Sequence, residues 1–326
     1  MILAGDTGGT KTRLALYEAE GEKFRRLHTE TFVSRDYLGL EDIIRLFLDK
    51  HHVAVSKACF GVPGPVGDGE AITTNLPWKL KESQIARAVG IPAIRLVNDL
   101  VAATAAIPYF TPDDLFILHE GKPEKPQSLC AVLAPGTGLG EAFLFHDGAR
   151  HHVFASEGGH ADFAPNREIE IKLLEHLKKK HSHVSYERVL CGPGLLNIYS
   201  FLKETGRETV PPELAARLKG QDPSAVISEA GLAGEFAICV KALDIFASIL
   251  GAQAGNLVLT MLATGGVYLG GGIPPKILKK LTEGGTLAAY FDKGRLSDLV
   301  KNTPLYVIRD DHAALLGAAS LATELS

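Results

Sequence analysis

Apolar and polar positions alternate from the first residues. In "ILAGDTGGTKTRLALYE", Thr12, Leu14 and Leu16 fall on one side and Arg13, Ala15 and Tyr17 on the other. A period of two, with a glycine pair between two such runs, predicts a β-hairpin whose turn is Thr7-Gly8-Gly9-Thr10. "TETFV" predicts a further strand. The period then changes: in "LEDIIRLFLDKHH", Ile43 and Phe47 recur at helical spacing with Ile44 and Leu48. "KACFGVPGPVGDGEAITTNLPW" predicts strand, loop and strand, and "SQIARAVG" a short helix closed by Gly90. "PAIRLVNDLVAATAAI" predicts a buried strand ending at Asn98-Asp99, followed by an alanine-rich helix.

Two prolines in "PYFTPDDLF" break this pattern, so residues 1–108 are expected to form a first α/β domain. Beyond the break, "SLCAVLAPGTGLGEAFLFHDG" repeats the opening order of apolar strand, glycine turn and apolar strand. "HHVFASEGGHADFAP" predicts a strand entering a Glu-Gly-Gly-His loop. "NREIEIKLLEHLKKKH" predicts a capped helix with lysines in its last turn, and residues 232–263 a long, largely helical stretch. "GGVYLGGGIPPKILKKL" gives strand, triple glycine and helix. "PLYVIRDDHAALLGAASLATEL" gives a closing strand and helix.

Composition narrows the function classes. The 326 residues are 46% hydrophobic and 22% charged, with a formal net charge of −4, which offers no electrostatic footprint for nucleic acid or an anionic membrane. No apolar run stands out as a membrane span, and no export signal precedes the first strand, so a cytoplasmic protein is expected. Cys59, Cys130, Cys191 and Cys239 are scattered without a Cys-x-x-Cys pair, which predicts free thiols rather than a zinc site.

The first turn lacks the spacing of a P-loop and of the dinucleotide fingerprint. It reads either as a plain tight hairpin or as a backbone cradle for an anion, to which Thr10 and Lys11 add donors. Asp6 is placed to hold a hydrated Mg²⁺ rather than to touch a phosphate. The second turn, Pro135–Gly140, contains Gly136, Thr137 and Gly138, and the triple glycine Gly270, Gly271 and Gly272 is open enough for a flat adenine. If the two domains face each other across a cleft, both turns can reach one polyphosphate. One glycine turn is weak evidence; three in this order behind an acid are a strong signal.

"GDTGGTKTRLAL", "LAPGTGLGEA", "GVYLGGGI" and "DDHAALLGAA" resemble the two phosphate motifs, the adenosine motif and the hinge helix of the sugar kinase, actin and heat-shock ATPase superfamily. "LVNDLVAA", "SEGGHADFAP" and "SYERVLCGPG" are similar to the bacterial glucokinase family of the hexokinase-like group. Lys11-Thr12 and Pro135 depart from the family's commoner residues. The zinc-binding cysteines and DNA-reading helices of the related repressor branch are not found. The resemblance implies a two-domain actin-like ATPase (ribonuclease H-like) α/β fold, with mixed sheets flanked by helices and an interdomain cleft. Residues 1–108 plus 305–326 would form the small domain and 109–304 the large one. It also implies ATP-dependent phosphorylation of D-glucose feeding glycolysis, Mg²⁺, and a homodimer.

A hexose is discriminated by polar groups that suffer if left unpaired. Asn98, Asp99, Glu157, His160 and Glu187 supply such a set, and the resemblance implies that all five contact glucose. Singly, each has a plainer reading. Asn98-Asp99 is a helix N-cap, Glu157 and Glu187 are surface acids, and His160 is a core histidine. Together, beside Gly-Gly and Gly-Pro-Gly turns, they point to a sugar site. Asp99 is the candidate general base for the 6-hydroxyl, while Thr10, Thr137 and the glycine amides would hold the phosphates. Asn75 and Trp78 stand near the expected cleft edge, Trp78 reading as core. The alternatives are a kinase for another hexose or an amino sugar (mannose, N-acetylmannosamine) and a catalytically silent sugar sensor. A chaperone-like ATPase would lack the sugar acids.

Overall fold

The period-two runs are strands and the period-3.6 runs helices in the computed structural model, which describes residues 1–21, 23–73, 76–122 and 128–325. In chain order the first elements are β1 (Ile2–Thr7), β2 (Lys11–Glu20), β3 (Lys23–Val33), α1 (Leu40–His51), β4 (Lys57–Val62), β5 (Val66–Gly67), β6 (Glu70–Ile72), β7 (Lys79–Lys81), α2 (Glu82–Val89), β8 (Ala93–Asn98) and α3 (Asp99–Ala105). There follow β9 (Leu115–His119), β10 (Cys130–Pro135), β11 (Leu139–His146), β12 (His151–Ser156), α4 (Glu168–Leu177), α5 (Gly192–Glu204), α6 (Pro212–Gly220), α7 (Pro223–Ala233) and α8 (Ala237–Met261). Last come β13 (Gly266–Leu269), α9 (Leu278–Leu281), α10 (Gly285–Phe291), α11 (Ser297–Lys301), β14 (Leu305–Ile308) and α12 (Ala313–Thr323).

These elements form two compact units. One comprises Met1–Asp114, His151–Ala155 and Asp310–Ser326, the other Leu115–Arg150 and Ser156–Arg309. The first has a sheet of order β3-β2-β1-β4-β8, in which β1 runs parallel to β4 and β4 to β8. Successive side chains of a strand point to opposite faces. Leu3, Leu14 and Phe60 therefore meet Ile43, Phe47 and Ile85 of α1 and α2 on one face. Ile2, Ala4 and Ala15 meet Ala102, Leu315 and Ala318 of α3 and α12 on the other. Each fully buried Leu, Ile or Phe stabilises the unit by roughly 1.5–3 kcal/mol. Trp78 is 3% exposed within the first of these cores. Asn75 lies outside the described residues.

Glycines set how closely α3 approaches its neighbours. A Cβ on Gly61 of β4 would stand 3.1 Å from the Ala102 Cβ and 3.4 Å from the Asp99 Cα, so the first turn of α3 lies directly on the strand. A Cβ on Gly317 of α12 would fall 1.7 Å from the Ala102 carbonyl oxygen. Gly317→Ala is therefore expected to force α12 off α3 and lower stability by about 1–3 kcal/mol, the range of overpacking in a close-packed core. An unchanged urea-unfolding midpoint would show that the two helices can part without penalty.

The second unit echoes the first. Its sheet runs β11-β10-β13-β14-β9, with β10 antiparallel to β11 and parallel to β13, as β1 is to β2 and β4. Its core gathers around α8 with Leu133, Val267, Leu195 and Phe201. By length and composition α8 could cross a membrane, which corrects the expectation that no stretch would; its apolar residues instead form the core of this unit. The division expected at 108 and 305 also shifts. Residues 109–114 and 151–155 fall in the first unit, and 305–309 in the second, where β14 pairs antiparallel with β9. Helix α4 ends at Leu177, before the lysines that were expected in its last turn. Helices α5 to α7 were not anticipated as separate elements.

Candidate active site

In the first unit the parallel strands β1, β4 and β8 end along one edge, the usual location of ligands in α/β sheets. Asp6 stands one residue from the end of β1, in register with Arg13 of β2. Arg13 donates to the Asp311 carbonyl (2.8 Å) and lies 3.4 Å from the Asp311 carboxylate. Burial pushes the Asp6 pKa up to about 6; Arg13 opposes the rise, and Asp99 and Asp311 add to it by like-charge repulsion. On the next residue of β1, the Thr7 hydroxyl is buried without a hydrogen-bond partner. A partly buried carboxylate repelled by two other acids suits a cation that takes oxygen ligands and keeps its waters, as Mg²⁺ does.

The turn after Asp6 is fixed from its acceptor side. Ser34 donates from its hydroxyl to the Gly8 carbonyl (2.7 Å) and from its amide to the Thr10 carbonyl (3.0 Å). The Gly8 amide closes the hairpin on the Lys11 carbonyl (2.9 Å), which leaves Gly9 and Thr10 as the turn's amide donors for an anion. Lys11 is exposed at the start of β2.

Asn98 ends β8 and Asp99 begins α3, so Asp99 belongs to the helix rather than to the strand expected to carry it. The Asn98 side chain caps α3 by accepting the Leu100 amide (3.0 Å), and donates to the Gly64 carbonyl (3.1 Å). The cap reading is therefore right for Asn98. Asp99 also accepts the Leu100 amide (2.8 Å), and its carboxylate reaches solvent. Partial desolvation by the surrounding protein raises its pKa, against hydrogen bonds from Leu100, its own amide and Asn98.

In the second unit β10 and β13 are parallel, and their carboxyl ends carry the other two glycine stretches. Gly136 repeats the habit of Gly8: its amide closes the turn, here on the Gly138 carbonyl (2.8 Å). The amides of Thr137 and Gly138 are left as donors, and Thr137 is exposed. Gly271 sits at φ +75°, where a Cβ would stand 2.6 Å from the Pro135 carbonyl oxygen. Only glycine lets the stretch 270–272 lie against the turn so closely. Gly270 is buried and Gly272 open to solvent.

Glu157 and His160 bound a short 3₁₀ turn, and Glu187 lies in another, Tyr186–Arg188. The two loops are tied by backbone bonds from Tyr186 to Ala161 (3.1 Å) and from Phe163 to Val184 (2.9 Å). His160 consequently stands 3.9 Å from both the Glu157 and the Glu187 carboxylates. The other oxygen of Glu187 accepts the Leu139 amide (3.0 Å), the residue directly after the glycine turn. A polar cavity of about 320 Å³ opens beside His160 and Glu187, walled by Lys180, Ser182, His183 and Arg188. A larger cavity of this unit, about 450 Å³ and lined by Glu170, Asn256 and Lys293, holds none of these residues.

The whole chain has counterparts among known proteins. The family profile described as Glucokinase matches residues 3–325. A glucokinase of Nostoc sp. is 39% identical over 100% of this chain and 99% of its own length. The chain belongs to the glucokinase family. A Cronobacter sakazakii glucokinase is 37% identical over 98% of the chain and 95% of the relative. The crystal structure of a glucokinase from an Antarctic psychrotroph superposes with a TM-score of 0.89 at 32% identity, covering 99% of this chain and 98% of that one. The fold is thus the mixed α/β, actin-like ATPase type of the glucokinases.

Within the family frame, the structure adds residues that sequence reasoning passed over. Arg13 and Asp311 set the charge around Asp6. Glu141, 2% exposed, accepts from Gln253 (2.8 Å) beneath the Glu157–His160 turn, and burial raises its pKa. A signal for it was present: Glu141 is an acid on the inward side of the apolar strand "LGEAFLF". Cys191 caps α5 and donates its thiol to the Glu187 carbonyl (2.9 Å), holding that turn.

Proposed function

We propose that the protein transfers the terminal phosphoryl group of ATP to the 6-hydroxyl of D-glucose. The observation that carries this reading is the convergence of Glu157, His160 and Glu187, from two separate loops, beside a glycine turn suited to phosphate. These three groups take the hydroxyls around the anomeric end of the sugar, and Asn98 and Asp99 take others. Asp99 accepts the proton of the attacking 6-hydroxyl at a carboxylate oxygen; a raised pKa makes it a better acceptor. Gly9, Thr10, Thr137 and Gly138 hold the phosphates, and Gly270–Gly272 receive the adenosine. Mg²⁺, held through water by Asp6, would supply neutralising charge to the phosphate oxygens. The same reading has a homodimer working in the cytoplasm.

An ADP-release assay over a sugar panel tests it. Glucose is expected to exceed N-acetylglucosamine and galactose in kcat/KM by a margin of several kcal/mol, since displaced hydroxyls leave the polar groups that take them unpaired. An N-acetyl sugar that proved the best substrate would replace glucose in the assignment.

A further inference from the structure

The groups assigned to the sugar and the turn assigned to phosphate share one stretch of backbone in the second unit. Glu187 Oε2 accepts the Leu139 amide at 3.0 Å, and a Cβ on Gly138 would stand 2.6 Å from that same oxygen. Gly159, inside the Glu157–His160 turn, lies so close to Leu139 that a Cβ there would be 2.2 Å from the Leu139 carbonyl oxygen. Its neighbour Gly158 rests on Glu141 Oε2, 2.1 Å from where its Cβ would be. Residues 138, 139 and 141 thus touch both sugar loops, while Gly138 is also part of the phosphate turn.

We propose that residues 138–141 couple the two substrates directly, so that Gly138, by leaving room for the Glu187 carboxylate, is a positioning residue for the sugar as well as part of the phosphate turn. The proposal rests on the glucokinase reading above. Glu187 has two oxygens. Oε2 is committed to the Leu139 amide, and Oε1, beside His160, is the one a sugar hydroxyl can reach. A bound sugar fixes the Glu187 side chain; that fixes the Leu139 amide and with it the turn that must receive phosphate. The second substrate then meets a site already ordered, which is positive coupling without any change of fold. Coupling of this kind is reciprocal.

Calorimetric titration of the full chain tests both directions. In Gly138→Ala the new methyl displaces the Glu187 carboxylate, and glucose affinity measured without nucleotide is expected to fall about tenfold, the effect of one lost charge-assisted hydrogen bond. A residue serving phosphate alone would leave that value unchanged, and wild-type glucose affinity in Gly138→Ala would overturn the proposal. In the reverse direction, Glu187→Ala removes the acceptor of the Leu139 amide. Its affinity for a non-hydrolysable ATP analogue, measured without sugar, is expected to fall about fivefold or more. Glu187→Gln, whose amide oxygen still accepts that bond, should restore it. If Gly138→Ala does not fold, this pair decides alone: equal nucleotide affinity in Glu187→Ala and wild type overturns the coupling. Wild-type protein that bound no glucose at all would instead overturn the functional reading and the coupling with it.

Discussion

Asp99→Asn is expected to lower kcat by ~10²–10⁴, the usual contribution of a general base, while the protein stays folded and still binds glucose. The structure makes this a clean substitution. Asn98 provides a side-chain cap of α3 on its own, and the Leu100 amide that Asp99 also accepts can be accepted by an asparagine oxygen. Helix α3 should therefore keep its place on β4, where Asp99 Cα lies close to Gly61. What the variant loses is the ability to take a proton. Loss of one sugar hydrogen bond would cost only about 0.5–3 kcal/mol in binding. Stopped assays of kcat beside calorimetric glucose titration separate the two effects. Near wild-type kcat with weaker glucose binding would make Asp99 a sugar ligand only, and would move the search for the base to Glu157.

Asp6→Asn is expected to do the opposite to stability and activity: the protein gains stability near pH 8 and loses phosphoryl transfer. Asp6 titrates near pH 6 in the folded protein against 3.8 for an ordinary aspartate. Between those values the folded state holds a proton that the unfolded chain has released, so stability falls as pH rises through that window. Above about pH 6 the whole penalty of a buried carboxylate is present, and below about 3.8 it is absent. A difference of about two between the pKa values corresponds to about 3 kcal/mol, an upper bound on what asparagine recovers. Denaturant unfolding of both proteins, without nucleotide or metal, should show a gap at pH 8 that narrows towards pH 4. A variant less stable than wild type at pH 8 would mean that the Arg13 interaction outweighs burial. The retained, unfavourable acid marks a group kept for binding rather than for folding.

Several elements could be read from the chain because their determinants are local. The hairpin β1–β2, helix α1 and the Gly90 end of α2 at φ +71° depend on period, turn residues and a left-handed cap, all within a few residues of one another. The stretch 192–233 was less legible. Its helices carry weak amphipathic patterns because α5 and α7 bury much of their surface against α8. The strand Leu305–Ile308 was recognisable as a strand, but its local sequence does not say which sheet it joins; pairing with β13 and β9 decides that.

The same division holds at the site. Local sequence was enough to single out Asp6 and the three glycine stretches as candidates, whereas Asn98, Asp99, Glu157, His160 and Glu187 were singled out as a set by the resemblance of their motifs, since each alone has a plainer reading. The partners those groups take are tertiary. Glu187 meets the Leu139 amide across 48 positions, and Gln253 meets Glu141 across 112. Packing likewise raises the Asp6 pKa by desolvation and by the approach of Asp99 and Asp311. Hydrogen bonds and desolvation act through distances of a few ångströms, and only the folded chain brings such distant residues that close.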